Sequence, residues 1–369
     1  MMLRTISLFS GCGGSDLGAK RAGADILFAN DNHPWAAKTY KRYKDLLASD
    51  EVDFRDSDVR EVKSFPECDL LIGCYPCQSF TMGGPRQPDS DPRTVLYLEF
   101  LRCLKATKPP FFVVENVIGM KWLEGGRYLD AQVASFMEAG KGYRVSVKVL
   151  DAKDYGVPAD RRRIFMVGAR KDLQAWYRFP DPTHGPSSSA ASGWVSHGEA
   201  LASLPLEAEG EYYKQGTEPF SWWYMSRNRK RAWAQPSHTI VANWRHIPLH
   251  PASPTMRLVE SDLQKKSWQR WEFTSDYDVP EGRLGLEQPR RLSWRECAVL
   301  QSFPRTFKPE GPAEAKFWQI GNAVPPLVMQ RIVEAIADET GLSDVQPEYG
   351  VGTRIRASAP RRVIGALLA

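Results

Sequence analysis

The residues with most chemical potential lie in "LLIGCYPCQSFTMGGPR" (70–86), where Cys74 and Cys77 form a C-x-x-C pair. Such a pair can be a redox dithiol, half of a zinc site, or one nucleophile beside a bystander. A dithiol oxidoreductase sets its thiol at a helix N-terminus, where the dipole lowers its pKa, yet the segment after Cys77 reads as a loop. Zinc needs a second ligand pair, and neither Cys103 nor Cys297 brings one at ligand spacing. A working thiol at the carboxyl end of a strand remains open, as does a buried structural cysteine.

A second chemical feature is "FSGCGGSDLG" (9–18), which follows an apolar run and opens a helical one. Glycines let a ligand approach the backbone, and a helix N-terminus favours a negative group. The spacing is neither G-x-G-x-x-G nor a loop ending in G-K-[ST], so NAD and ATP fit poorly. A carboxylate-bearing cofactor such as S-adenosylmethionine suits the same physics. Asp31 is placed to accept from a ribose diol and Asp58 from an adenine amino group; the bland alternative is a tight turn with two solvated aspartates.

Elements must hold these residues in place. "RTISLF" (4–9), "ADILFAN" (24–30), "DLLIG" (69–73), "FFVVEN" (111–116), "YRVSVKVL" (143–150) and "RIFMVGAR" (163–170) read as short apolar strands. Helical periodicity falls between several of them, as in "PWAAKTYKRYKD" and "RTVLYLEFLRCLKATKP". Alternation of this kind predicts an α/β fold with a doubly wound, mostly parallel sheet. After Arg170 the texture changes to a small-residue loop, "HGPSSSAASG" (184–193), and an aromatic, basic, irregular stretch. Eight of the twelve tryptophans lie between residues 176 and 271. "SWRECAVLQSF" (293–303) restores a helix, with Ser293 and Glu296 as a capping box, and a further helix follows "IGNAVPP".

Bulk properties narrow the class. The 369 residues suit one large and one smaller domain, and no apolar run approaches the roughly 18 residues of a membrane span. The N-terminus enters a strand directly without a signal-peptide core, so the expected address is cytoplasmic, where six scattered cysteines stay reduced. A net charge of +5 is mildly basic and does not alone identify a nucleic-acid partner.

The ordered set "FSGCGG", "PCQ" (76–78), "ENV" (115–117), "RRRIF" (161–165), "RECAVLQSFP" and "IGNAVPP" resembles the cytosine-C5 DNA methyltransferase family from about residue 3 to residue 335. The resemblance implies the S-adenosylmethionine-dependent methyltransferase fold, with a catalytic and cofactor-binding domain over 1–174. A smaller, irregular, β-rich target-recognition domain and hinge would occupy 175–305. A C-terminal helix over 306–342 would return to the catalytic domain, leaving a tail at 343–369. It implies Cys77 as the nucleophile on carbon 6, Glu115 as the acid at N3, and Arg161 and Arg163 as guanidinium partners of the base. Cys74 then has no catalytic role, and the C-x-x-C is accidental.

The same resemblance implies cofactor contacts at Phe9, Gly11, Gly13, Gly14, Asp31, Asn32, Asp58, Pro76, Leu96 and Asn322, with S-adenosylmethionine as donor and no metal. Asn32 stands where the family often carries an aromatic, and Ala159 replaces the glutamine of "PQxRxR". Double-stranded DNA is the implied partner, read by a chain acting as a monomer. "SWWYMSRNRKRAW" (221–233) and "PSHTIVANWRHIPLHP" (236–251) resemble the recognition region of methylases that modify short G·C-rich palindromes, GGCC-specific ones in particular. Arg227 and Arg229 are the candidates for reading bases, with Thr239 as a further DNA contact. A target cytosine must be flipped out of the duplex, and "SFTMGGPRQPDSDPR" (79–93) is the candidate lid. The expected setting is a restriction-modification system with a cognate endonuclease. The rivals are a tRNA cytosine methyltransferase and a thiol-disulfide oxidoreductase using Cys74 and Cys77.

Overall fold

Each predicted strand forms within two residues of its expected limits. The computed structural model describes residues 2–76, 95–186, 192–206, 208, 210–212, 220–262, 268–339 and 341–343. Cys77, the candidate lid 79–93 and the tail beyond 343 lie outside the described residues.

The chain divides into two compact units. The first comprises 1–151, 162–181 and 328–369, and the second 152–161 and 182–327. This partition is discontinuous, whereas the sequence suggests consecutive segments. Residues 152–161 and 306–327 pack with the recognition region because the segment before β7 hydrogen-bonds there, as described below.

In the first unit, strands β1 (Leu3–Leu8), β2 (Ala24–Asn30), β3 (Asp53–Arg55), β4 (Leu70–Gly73), β5 (Phe111–Val117), β6 (Tyr143–Asp151) and β7 (Arg162–Arg170) form one sheet. Its order is β3-β2-β1-β4-β5-β7-β6. All neighbouring pairs are parallel except those of β7, which runs antiparallel to both β5 and β6. Order reverses between β1 and β4, the crevice where open α/β sheets bind ligands. β4 is buried at all four positions, as a strand covered on both faces must be. Beneath it Phe100, Phe112, Phe136 and Tyr143 pack edge to face at centroid distances of 5.2–5.8 Å. Each such buried ring stabilises the sheet by about 1.5–3 kcal/mol.

In the second unit, regular strand consists of a hairpin, Met256–Asp262 with Trp268–Phe273, and the surrounding described residues are largely irregular. The helix Trp294–Leu300 starts at the expected capping box: Ser293 accepts from the Glu296 N–H and the Glu296 carboxylate accepts from the Ser293 N–H. That carboxylate is buried and also takes Arg290 in a bidentate pair at 2.7 and 2.8 Å, with His250 at 3.4 Å.

Candidate active site

The glycine loop begins where β1 ends. Phe9, Gly11 and Gly13 all adopt positive φ, of 58°, 58° and 87°. Phe9 pays strain there that glycine would not, and strained backbone of this kind clusters at functional sites. Gly13 has no alternative, since a Cβ would lie 2.4 Å from Leu47 Cδ1. Space beside Gly11 is open, and its N–H donates to Asp31 Oδ2 at 2.8 Å. Asp31 Oδ1 accepts the His33 N–H at 2.8 Å. Each oxygen keeps a lone pair for a further donor, which is what a ribose diol requires. Burial pushes the Asp31 carboxyl above its ordinary range, while the two backbone N–H groups oppose that shift.

Gly14 opens the helix Gly14–Arg21, which is fixed by a residue the sequence did not single out. Asp16 is fully buried and accepts from Ser7 at 2.6 Å, Ser15 at 2.8 Å and Tyr40 at 2.6 Å. Asn32 is exposed beside Asp31. Asp58 caps a short turn, and its carboxylate accepts from the Arg60 N–H at 2.9 Å and the Arg60 guanidinium at 2.6 Å. Leu96 packs against the core cluster. The loop and Asp31 fit a cofactor bearing a carboxylate and a ribose; Asp58 would have to share its carboxylate with Arg60.

The chain toward Cys77 leaves β4 beside the candidate acid, because Gly73 pairs with Val114, the residue before Glu115. The Cys74 N–H donates to Leu8 O at 3.2 Å. Tyr75 is buried, donates to Gln132 Oε1 at 2.6 Å and stacks edge-on against Phe9 at 6.2 Å. Pro76 is therefore delivered from a fixed base, and nothing in the sequence had marked Tyr75 for that task.

Register explains how Glu115 is held. Val117 stands opposite Arg163 and Glu115 opposite Phe165. Opposed residues share a face and faces alternate, so Glu115 and Arg163 are diagonal neighbours on one side of the sheet. Arg163 Nε lies 3.0 Å from Glu115 Oε1, with both side chains largely buried. Between them in sequence, Asn116 is fully buried and accepts the Val117 N–H at 2.8 Å.

The second unit holds the remaining candidates. Arg161, expected beside Arg163 at the base, has its donors on three backbone carbonyls: Ile240 at 3.0 Å, Gly321 at 3.0 Å and Ala323 at 2.8 Å. The other arginine of the R-x-R motif, Arg163, faces Glu115 instead. Asn322 is exposed at the end of the helix Ala313–Asn322. Arg229, expected to read bases, is half-buried, stacks over Tyr224 at 5.0 Å and donates to His246 O at 3.2 Å. Burial accordingly lowers its pKa. The Thr239 hydroxyl donates to Asp160 O at 2.6 Å. Lys230 is buried and Arg231 pairs with Asp160 at 2.6 Å. Arg227 is the exposed cation of the run, and Trp222 and Trp223, which precede it in the same segment, are exposed as well.

The C-5 cytosine-specific DNA methylase family matches residues 3–338. The Type II methyltransferase M.BsuRI of Bacillus subtilis is 35% identical, over 91% of this chain and 79% of its own. M.FnuDI of Fusobacterium nucleatum is 36% identical, over 91% and 96%. Among solved structures, a DNA modification methyltransferase encoded within an E. coli prophage superposes with a TM-score of 0.59 at 23% identity, covering 91% of this chain and 99% of that one. Together with the sheet order and the motif residues placed along it, these matches make the chain a member of the C-5 cytosine-specific DNA methylase family.

Proposed function

We propose that this DNA (cytosine-5-)-methyltransferase is the modification enzyme of a restriction-modification system, acting as a monomer in the cytoplasm on a short G·C-rich palindrome of the GGCC type. The Type II methyltransferases at 34–36% identity support the setting. The observation that carries the chemistry is the buried Glu115–Arg163 pair beside the strand that leads to Cys77.

Carbon 5 of cytosine is too electron-poor to be methylated directly. Addition of the Cys77 thiolate to carbon 6 moves electron density to carbon 5 and negative charge toward N3. Glu115 holds a proton at N3, and Arg163 orients that carboxyl group while keeping positive charge beside the ring. When bound against the glycine loop and Asp31, S-adenosylmethionine supplies an electrophilic methyl group. Loss of the carbon-5 proton to solvent expels Cys77 as the thiolate, and the proton at N3 returns to Glu115. The base reaches Cys77 by leaving the duplex, at a cost of a few kcal/mol. Arg227, the exposed cation of the basic run, in the same segment as the exposed Trp222 and Trp223, is the one best placed for DNA.

Bisulfite sequencing of a plasmid from cells expressing the protein tests this reading. One protected cytosine in GGCC on both strands is expected. A different protected context would reject the target; no protected cytosine, with methyl transfer to tRNA instead, would reject the substrate.

A further inference from the structure

We infer that Arg161 is a positioning residue for DNA and cofactor binding: its guanidinium clamps the Thr239–Ile240 segment to the Gly321–Ala323 turn. The inference rests on the proposed function, since those segments carry the expected DNA and cofactor contacts.

Residues 158–161 run alongside 237–240 as an extended pair. The Ser237 N–H donates to Pro158 O at 2.9 Å and the Asp160 N–H to Ser237 O at 2.8 Å, with a parallel bridge from Ala159 to Ser237. Pairing through the backbone asks only that residue 159 be small, and Ala159 is fully buried. Asp160 then anchors its surroundings, accepting Thr239 Oγ1 through its carbonyl and Lys153 and Arg231 through its carboxylate.

Arg161 continues the segment with its side chain. One nitrogen bridges Ile240 O and Gly321 O while the other reaches Ala323 O, and the residue is 2% exposed. A planar fork with several fixed donors can satisfy carbonyls from two segments at once, which a lysine ammonium does less well. The segments are in backbone contact: a Cβ on Gly321 would lie 2.2 Å from Ala242 N and 2.3 Å from the Val241 carbonyl carbon. Gln301 Nε2 adds a bond to Ile320 O at 3.1 Å. The clamped carbonyls immediately follow or flank Thr239 and Asn322. One buried cation therefore sets both binding segments, while the acid has its own partner in Arg163.

The test compares Arg161→Gln and Arg161→Lys with the unaltered protein after circular dichroism has shown each folded. For Arg161→Gln, KM for duplex and for S-adenosylmethionine should each rise roughly tenfold, with kcat within about threefold. Amide hydrogen exchange should quicken in 237–242 and 320–324 and stay unchanged in 111–117; Arg161→Lys should fall between. A kcat loss of roughly a hundredfold at unchanged KM would place Arg161 at the base and overturn the inference, as would unchanged exchange in both segments. If the glutamine variant does not fold, the lysine variant decides by the same criteria. If the unaltered protein methylates no duplex, the proposed function fails, and exchange with calorimetric cofactor binding still decides the clamp.

Discussion

Arg163 Nε sits 3.0 Å from Glu115 Oε1, diagonally across the β5–β7 ladder and largely shielded from water. The pair ties the proposed acid, Glu115, to the reversed strand of the sheet. Glu115→Gln keeps the shape and removes the transferable proton, so kcat should fall by about 10²–10⁴ while cofactor affinity holds. Arg163→Ala should lower kcat as well and cost about 3–5 kcal/mol of stability, because it strands a buried carboxylate. Single-turnover methyl transfer and urea unfolding check both; an active, fully stable Arg163→Ala would refute the coupling.

Asp31 links the glycine loop to β2 through its bond from Gly11. Asp31→Ala should weaken S-adenosylmethionine binding by about 10–100-fold, through lost diol contacts and a loosened loop. Titration calorimetry reads this directly, and wild-type affinity in the variant would remove Asp31 from the site.

In the second unit, His197 and His250 are both buried. Burial holds their pKa values down at about 3 and about 4, with Lys230 adding repulsion at both and Glu296 partly opposing the shift at His250. Each is neutral in the fold, whereas the unfolded chain takes up a proton near pH 6.5. Stability is thus full above pH 6.5 and declines as pH falls toward 4, by up to about 1.4 kcal/mol per pH unit for each histidine. Melting temperature should drop between pH 7 and 5, and His197→Gln should flatten the slope. A flat profile in the unaltered protein would contradict the buried, neutral assignment.

The Glu296 carboxylate carries Arg290, His250 and the Ser293 N–H. Glu296→Gln leaves the buried Arg290 without a counter-charge, so about 3–5 kcal/mol of stability should be lost. Chemical denaturation measures it, and a loss under about 1 kcal/mol would show the network to be dispensable.

The strands and the place of Glu115 in β5 were legible because their signals are local. Apolar runs define β1, β4 and β5, and Glu115 follows directly from the end of one of them. Arg161, Arg229 and Thr239 were harder to read, since residue type reveals a donor but not its acceptor. All three point donors at backbone carbonyls distant in sequence, 79–162 residues away for Arg161 and Thr239 and 17 away for the bond from Arg229 to His246. Asp16 and Tyr75 were invisible for the same reason. Their roles depend on Tyr40 and Gln132, whose proximity no spacing rule announces. The two-unit division was blurred likewise, because residues 152–161 pair with a segment some 80 positions later.

Covalent attack by Cys77 is the claim on which the rest depends. Incubating the protein with S-adenosylmethionine and a duplex carrying 5-fluorocytosine at the target blocks the final elimination, since fluorine cannot leave as a proton does. Mass spectrometry should then find a stable protein–DNA adduct on the peptide containing Cys77, absent in Cys77→Ala, which should also transfer no methyl group. A Cys77→Ala protein that still methylates cytosine, or an adduct at another residue, would contradict the account.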